Sequence, residues 1–242
     1  MLQAGTRKVR APNCSVVKLM NMTAKCYMCE SESISREHAP PLCLFPEEKD
    51  MVDGKNYRNN LITVPACADH NLKKSHNDEY LHLIIIHGYF NNPLASKQFK
   101  TKLTRAFNRR PALLAVLHSE KVPVTVDGTP TVAVSIDRER FENSIDMLTR
   151  ALYFYVYKKR LLMKLRVHTP LLVNIEGGSA NEAYELVKKY CFAVRTHLED
   201  KPQFGENSEI FWFRIDHSQR KKLVSCHMQF YGGFDIFVTG NE

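Results

Sequence analysis

Two kinds of hydrophobic spacing divide the chain near residue 120. Before it, apolar positions recur at helical intervals. Tyr80, Leu81, Ile84 and Ile85 predict a helix over Asp78 to Tyr89, which Asn91, Asn92 and Pro93 break. Ser96 can cap a second helix to about Arg110, with Phe99, Leu103 and Phe107 four residues apart. Pro111 then opens a short apolar helix, Ala112 to His118. Beyond residue 120 the period changes. Val122, Val124 and Val126 alternate, Asp127-Gly128 supplies a turn, and Val132 and Val134 alternate again, which predicts a hairpin. Asp137 starts a helix through about Lys159, with Phe141, Ile145, Leu148 and Leu152 on one stripe. A strand at Leu171 to Ile175 and a helix from Ser179 to Val194 come next. Strands at Ile210 to Asp216, Leu223 to Phe230 and Phe234 to Thr239 end the chain, with Gly232-Gly233 joining the last two. Phe211, Trp212, Phe213, Phe230, Tyr231, Phe234 and Phe237 form the expected sheet core, and Asp200 to Asn207 is the expected flexible loop. The pattern is α+β, with an antiparallel sheet in the C-terminal half.

Composition is that of a globular protein: 44% hydrophobic and 25% charged over 242 residues. No apolar run approaches the roughly 20 residues that span a bilayer, so no membrane association is expected. Net charge is +8, and its distribution matters more than its size. Residues 1–25, 96–110 and 155–166 contain no acid and together hold 16 of the 34 Lys and Arg. Clustered positive charge suits a polyanion; solvated helix faces are the plainer account. Lys97, Lys100, Lys102, Arg105, Arg109 and Arg110 at helical spacing are the candidate phosphate contacts. Tyr153, Phe154, Tyr155 and Tyr157 precede Lys158-Lys-Arg160; they can stack bases or pack a helix core. The first 25 residues read as a basic arm or, less simply, as an organelle-targeting peptide.

Seven cysteines without disulfide-like spacing point to a reduced, cytoplasmic setting, where grouped Cys and His read as metal ligands. Cys26-Tyr-Met-Cys29 and Cys67-Ala-Asp-His70 are two pairs with two-residue gaps. A gap of two lets one tight turn present both side chains to one ion. Together the pairs offer four soft ligands for a closed tetrahedral zinc site, with Cys43 as a rival ligand. Cys14, Cys191 and Cys226 lack paired spacing and read as structural.

Between and after the pairs lie Ser35-Arg-Glu-His-Ala-Pro-Pro41, Asn60-Leu-Ile-Thr-Val-Pro-Ala-Cys67 and Asn71-Leu-Lys-Lys-Ser75. A Cys knuckle, an acid-His pair, an Asn-Leu strand, a second ligand pair and an Asn opening a helix come in that order. This interleaving resembles the HNH (ββα-metal) endonuclease family over about 50 residues. Glu37-His-Ala-Pro-Pro41, Leu61-Ile-Thr-Val-Pro-Ala-Cys67, Asp78-Glu-Tyr80, Leu152-Tyr-Phe154 and Gln229-Phe-Tyr-Gly232 resemble uncharacterised bacterial HNH-like proteins more widely. The resemblance implies roles residue by residue. His38 is the general base that takes a proton from attacking water. Asn60, with Asn59 as its neighbouring rival, holds the His38 segment. Glu37 and Asn71 hold a catalytic Mg²⁺ or Mn²⁺ distinct from the structural zinc. Asn71 can alternatively cap its helix. Arg36 can contact phosphate or be solvated. Members often carry Asp where this chain has Glu37.

The organisation expected is a basic segment (1–25), a zinc-stapled HNH module (26–90), a basic helical connector (91–120) and an α+β domain of unassigned role (121–242). The expected activity is hydrolysis of phosphodiester bonds in nucleic acid, with DNA the favoured substrate. A bacterial defence or mobile-element effector is the setting such modules often keep. The alternative is a zinc-dependent nucleic-acid-binding or assembly subunit that does not cleave. A protein partner could dock on the C-terminal domain.

Overall fold

The computed structural model describes residues 24–51, 54–71, 75–113, 121–126, 129–172 and 180–241. Nearly all of the basic segment 1–25, the Asp127-Gly128 turn and most of the Ala112–His118 helix expected from sequence lie outside the described residues.

The fold is α+β with antiparallel sheets. Strands β1 (Ser35–His38) and β2 (Thr63–Ala66) make a two-stranded ribbon in which His38 faces Thr63 and Ser35 faces Ala66. Helices α1 (Ala68–Asn71) and α2 (Ser75–Ile86) come after it. Next, α3 (Pro93–Gln98) runs through a π segment (Phe99–Leu103) into α4 (Thr104–Arg109). A second ribbon pairs β3 (Lys121–Val126) with β4 (Thr129–Val134). Helix α5 (Arg138–Tyr157) leads to β5 (Lys164–His168), then α6 (Ala180–His197), β6 (Phe211–Ser218), β7 (Leu223–Phe230) and β8 (Phe234–Asn241). The four-stranded sheet has the order β5-β8-β7-β6.

Strand alternation decides what each sheet face meets. Phe211, Phe213, Cys226, Met228, Phe230, Ile236 and Val238 lie in one buried cluster with the α5 stripe Phe141, Ile145, Leu148 and Leu152. That cluster reaches back to Cys26, Leu44 and Val64, so the N-terminal ribbon and the C-terminal sheet share a core. Each fully buried side chain of this size contributes roughly 1.5–3 kcal/mol. On the opposite face Phe237 packs with Cys191 and Val194 of α6 and with Leu198 just beyond its end.

Several boundaries differ from the sequence expectation. Helix α3 starts at Pro93, not Ser96, because the Asn92 side chain accepts from the Leu94 N–H at 3.1 Å and Pro93 needs no partner at the first helical position. Helix α2 ends at Ile86 rather than Tyr89. The side-chain amide of Asn91 donates to the carbonyl of Ile85 at 2.6 Å, and a side chain at Gly88 would meet Phe234. Pro111–Leu113 is a 3-10 turn. The strand expected at Leu171 to Ile175 is not formed by its described residues: Leu172 N–H turns back onto the Thr169 carbonyl at 3.3 Å. The strand lies earlier, at β5, where Lys164, Arg166 and His168 alternate with Leu165 and Val167. As expected, Asp137 caps α5, its carboxylate accepting from Arg140 N–H at 3.0 Å. No helix among the described residues is long and apolar enough to cross a membrane.

Candidate metal centre and active site

A knuckle, a ribbon and a helix start bring the two ligand pairs together. Cys26 N–H donates to the Ser31 carbonyl at 2.9 Å and Met28 N–H points at the Cys26 sulfur at 3.4 Å, which closes the first turn. Ile34 N–H donates to the Ala66 carbonyl at 3.0 Å, so the knuckle enters β1 directly beside the end of β2. Cys67 and α1, which carries His70, come immediately after β2.

The four ligand atoms lie within 4.8 Å of one another. His70 Nδ1 is 3.6 Å from Cys26 Sγ, 3.6 Å from Cys29 Sγ and 3.2 Å from Cys67 Sγ; Cys29 Sγ and Cys67 Sγ are 3.8 Å apart. Tetrahedral zinc with bonds of about 2.3 Å to sulfur and about 2.0–2.1 Å to nitrogen sets S···S near 3.8 Å and S···N near 3.6 Å. The Cys₃His set therefore fits a structural zinc ion. Hydrogen bonds from the side chain and backbone of Ser31 bring the Cys29 thiol down to about 6, while burial pushes Cys67 up. Cys43, the rival ligand, is not in the cluster; its thiol donates to the Asp78 carbonyl at 3.3 Å.

A cavity of about 260 Å³ opens near this frame. Glu37, His38 and Asn71 line it together, with Cys43, Asp78 and Glu79. Glu37 is 6% exposed. Burial, and after it the Glu37 charge, pushes the Tyr27 hydroxyl well above its usual range. The Asn71 amide nitrogen donates to Ser35 Oγ at 2.7 Å and reaches the Arg36 carbonyl at 3.5 Å. The donor end of Asn71 thus ties α1 to β1, and Oδ1 is left as its acceptor end.

Asn60 stands elsewhere. Its amide donates to Glu206 Oε2 at 2.6 Å, and its φ of 54° lies in the left-handed region, where Asn is favoured among residues with a side chain. The His38 end of β1 is tied to β2 by backbone, through Ala39 N–H to the Ile62 carbonyl at 3.0 Å. Asn59 offers its carbonyl to the Asn207 side chain at 3.2 Å. Arg36 donates to the hydroxyl and carbonyl of Thr63 at 2.8 and 3.0 Å, along the ribbon.

Of the six candidate phosphate contacts, the side chains of Lys102, Arg105 and Arg110 have partners among the described residues. Lys102 donates to the carbonyls of Cys43 and Phe45 at 2.8 and 3.2 Å, and burial brings its ammonium down to about 8. Arg105 grips both Asp50 oxygens at 2.8 and 2.7 Å and Glu47 at 3.1 Å. Arg110 pairs with Glu79 at the cavity's edge and with His76. Lys100 and Arg109 are exposed and Lys97 is half-buried.

Asp78 and Glu79 are cavity residues that spacing did not single out. Their only signal was the Asp78-Glu-Tyr80 phrase, because which face of α2 meets the ribbon is a tertiary matter. No family model, curated protein or solved structure matches this chain.

Proposed function

We propose that the protein is a metal-dependent endonuclease of the HNH type, acting on nucleic acid and preferentially on DNA. The observation that carries the reading is that the adjacent pair Glu37-His38 and the distant Asn71 line one cavity near a Cys₃His cluster with zinc geometry. Zinc there is structural: it staples the knuckle, the ribbon and α1, a segment too small to hold itself.

In this reading His38 takes the proton of an attacking water, an assignment that suits imidazole near neutral pH. Asn71 does two things: Nδ2 fixes α1 to β1 through Ser35, and Oδ1 serves the cavity as a hard donor beside Glu37. A divalent ion held by such oxygens offsets charge on a phosphate. Lys97, Lys100 and Arg109 are the basic connector residues left to meet a phosphate backbone.

A non-cleaving, nucleic-acid-binding subunit is the second reading. It draws support from Asn60, whose amide is directed to Glu206 and not to the His38 segment. A plasmid-cleavage assay of the zinc-loaded protein with Mg²⁺ or Mn²⁺, and with neither, separates the two. Nicking or linearisation that requires the added ion supports the nuclease. Shifted plasmid without any cut supports the binding subunit.

A further inference from the structure

We propose that a second cavity, between α6 and the β8 side of the sheet, is a binding site for a nucleoside phosphate. The cavity holds about 430 Å³, within the roughly 300–1,000 Å³ of small-molecule sites. It shares no residue with the metal centre or the Glu37–His38 cavity and does not rest on the nuclease reading.

Its construction rests on two local features. Gly233, at the turn into β8, brings its backbone against the Phe90 carbonyl: a side chain there would sit 1.9 Å from that oxygen. The α2–α3 loop therefore reaches the sheet and places Phe90 in the wall. Helix α6 packs on the sheet through Cys191 and Val194, with Leu198 just beyond its end. Phe192 beside them stays 67% exposed at the cavity, and Phe90 44%. Large aromatic rings left open around a concave site mark a place for a ligand with a flat apolar body.

The polar part of the lining is cationic. Lys188, Lys189 and Arg195 line the cavity together with Asp235, the one carboxylate among the described lining residues. That carboxylate is already matched: Arg195 donates to Oδ2 at 2.8 Å, and Oδ1 receives His227 Nε2 at 2.8 Å and the Gln229 amide at 3.0 Å. Lys188 lies 4.9 Å over the Tyr184 ring and 3.7 Å from Glu185, an exposed pair of little worth. Lysines beside aromatic faces supply both halves of nucleotide recognition: charge for the phosphate and a π-face for the base.

The test is calorimetric titration of the full, zinc-loaded chain, without added divalent ion, using each of the four ribonucleoside diphosphates. Adenosine and inorganic phosphate are the half-ligand controls. At least one diphosphate is expected to bind one-to-one, about tenfold or more tighter than either control. Lys188→Ala/Lys189→Ala should weaken it about tenfold and Phe192→Ala several-fold, while His38→Ala leaves it unchanged. These side chains are at the surface or the cavity rim, so the variants should fold, which circular dichroism checks. Absence of saturable binding up to about 1 mM, the weak end of the affinity scale, overturns the site. So does binding that survives both the lysine and the Phe192 changes, or inorganic phosphate binding as tightly as the diphosphates.

Discussion

The hydroxyl of Tyr231 donates to the carbonyl of Leu44, 187 residues away in the chain. Tyr231 is fully buried at the β7–β8 turn, and Leu44 belongs to the turn that succeeds the His38 strand. Gln98 of α3 donates to both oxygens, at 3.3 Å to Tyr231 and 3.4 Å to Leu44. One buried hydrogen-bond cluster thus joins the ribbon module, the connector helix and the C-terminal sheet. Tyr231→Phe keeps the ring and removes the donor, leaving the Leu44 carbonyl, among the described residues, with the longer Gln98 bond. A loss of about 1–3 kcal/mol is expected, read as a lower denaturation midpoint at unchanged slope. A midpoint equal to that of the parent would show that the cluster does not hold the two halves together.

One zinc ion per chain is expected from elemental analysis of protein purified without added metal. Cys67→Ser removes a buried ligand, so it should lose the ion and unfold the ribbon at a lower temperature than the parent. A variant with full zinc content and parental stability would remove Cys67 from the ligand set.

His38→Ala separates catalysis from structure. His38 is outside the Cys₃His cluster, so the variant should keep zinc and nucleic-acid binding. Its cleavage rate should fall by roughly 10² to 10⁴, the contribution of a positioned acid–base group. Asn71→Ala should act differently, weakening the response to Mg²⁺ and loosening α1 from Ser35. Equal cleavage by parent and His38→Ala at matched zinc content would end the proposed mechanism.

Salt dependence tests the connector. Neutralising Lys97, Lys100 and Arg109 together should flatten the log–log salt slope of DNA binding, by up to about 0.9 for each phosphate these cations neutralise. Arg105 is a poor probe, because its bonds to Asp50 and Glu47 make any replacement a stability change. An unaltered slope would take the connector out of the interface.

His82 gives a pH prediction. It is 3% exposed and its Nε2 has no hydrogen-bond partner among the described residues; burial brings its imidazole down to about 3. The unfolded chain binds a proton near pH 6.5 that the folded chain refuses. Stability from the neutral ring is therefore present above pH 6.5 and is lost as pH falls toward 3, at up to about 1.4 kcal/mol per pH unit. His82→Leu should show a shallower decline than the parent between pH 6.5 and 4.5. Parallel curves would mean that His82 takes up its proton without unfolding.

Features set by near neighbours were legible in the chain itself. Two-residue gaps put Cys26 with Cys29 and Cys67 with His70, and the structure joins the pairs at zinc distances. Alternating valines make the β3–β4 ribbon, and the Asp137 cap with its apolar stripe makes α5. Period and capping suffice there, because each depends on residues a few positions apart. Features that need partners far along the chain came from tertiary packing alone. Lys164 and Arg166 looked like part of a basic run, yet Leu165 and Val167, which alternate with them, face Gly240 and Val238 of β8, and that pairing makes them a strand. Lys102 read as one more cation on a helix face, but the carbonyls of Cys43 and Phe45 draw its ammonium inward. Asn60 turned to Glu206 for the same reason: the loop before β6 lies beside it, and no spacing rule carries that distance.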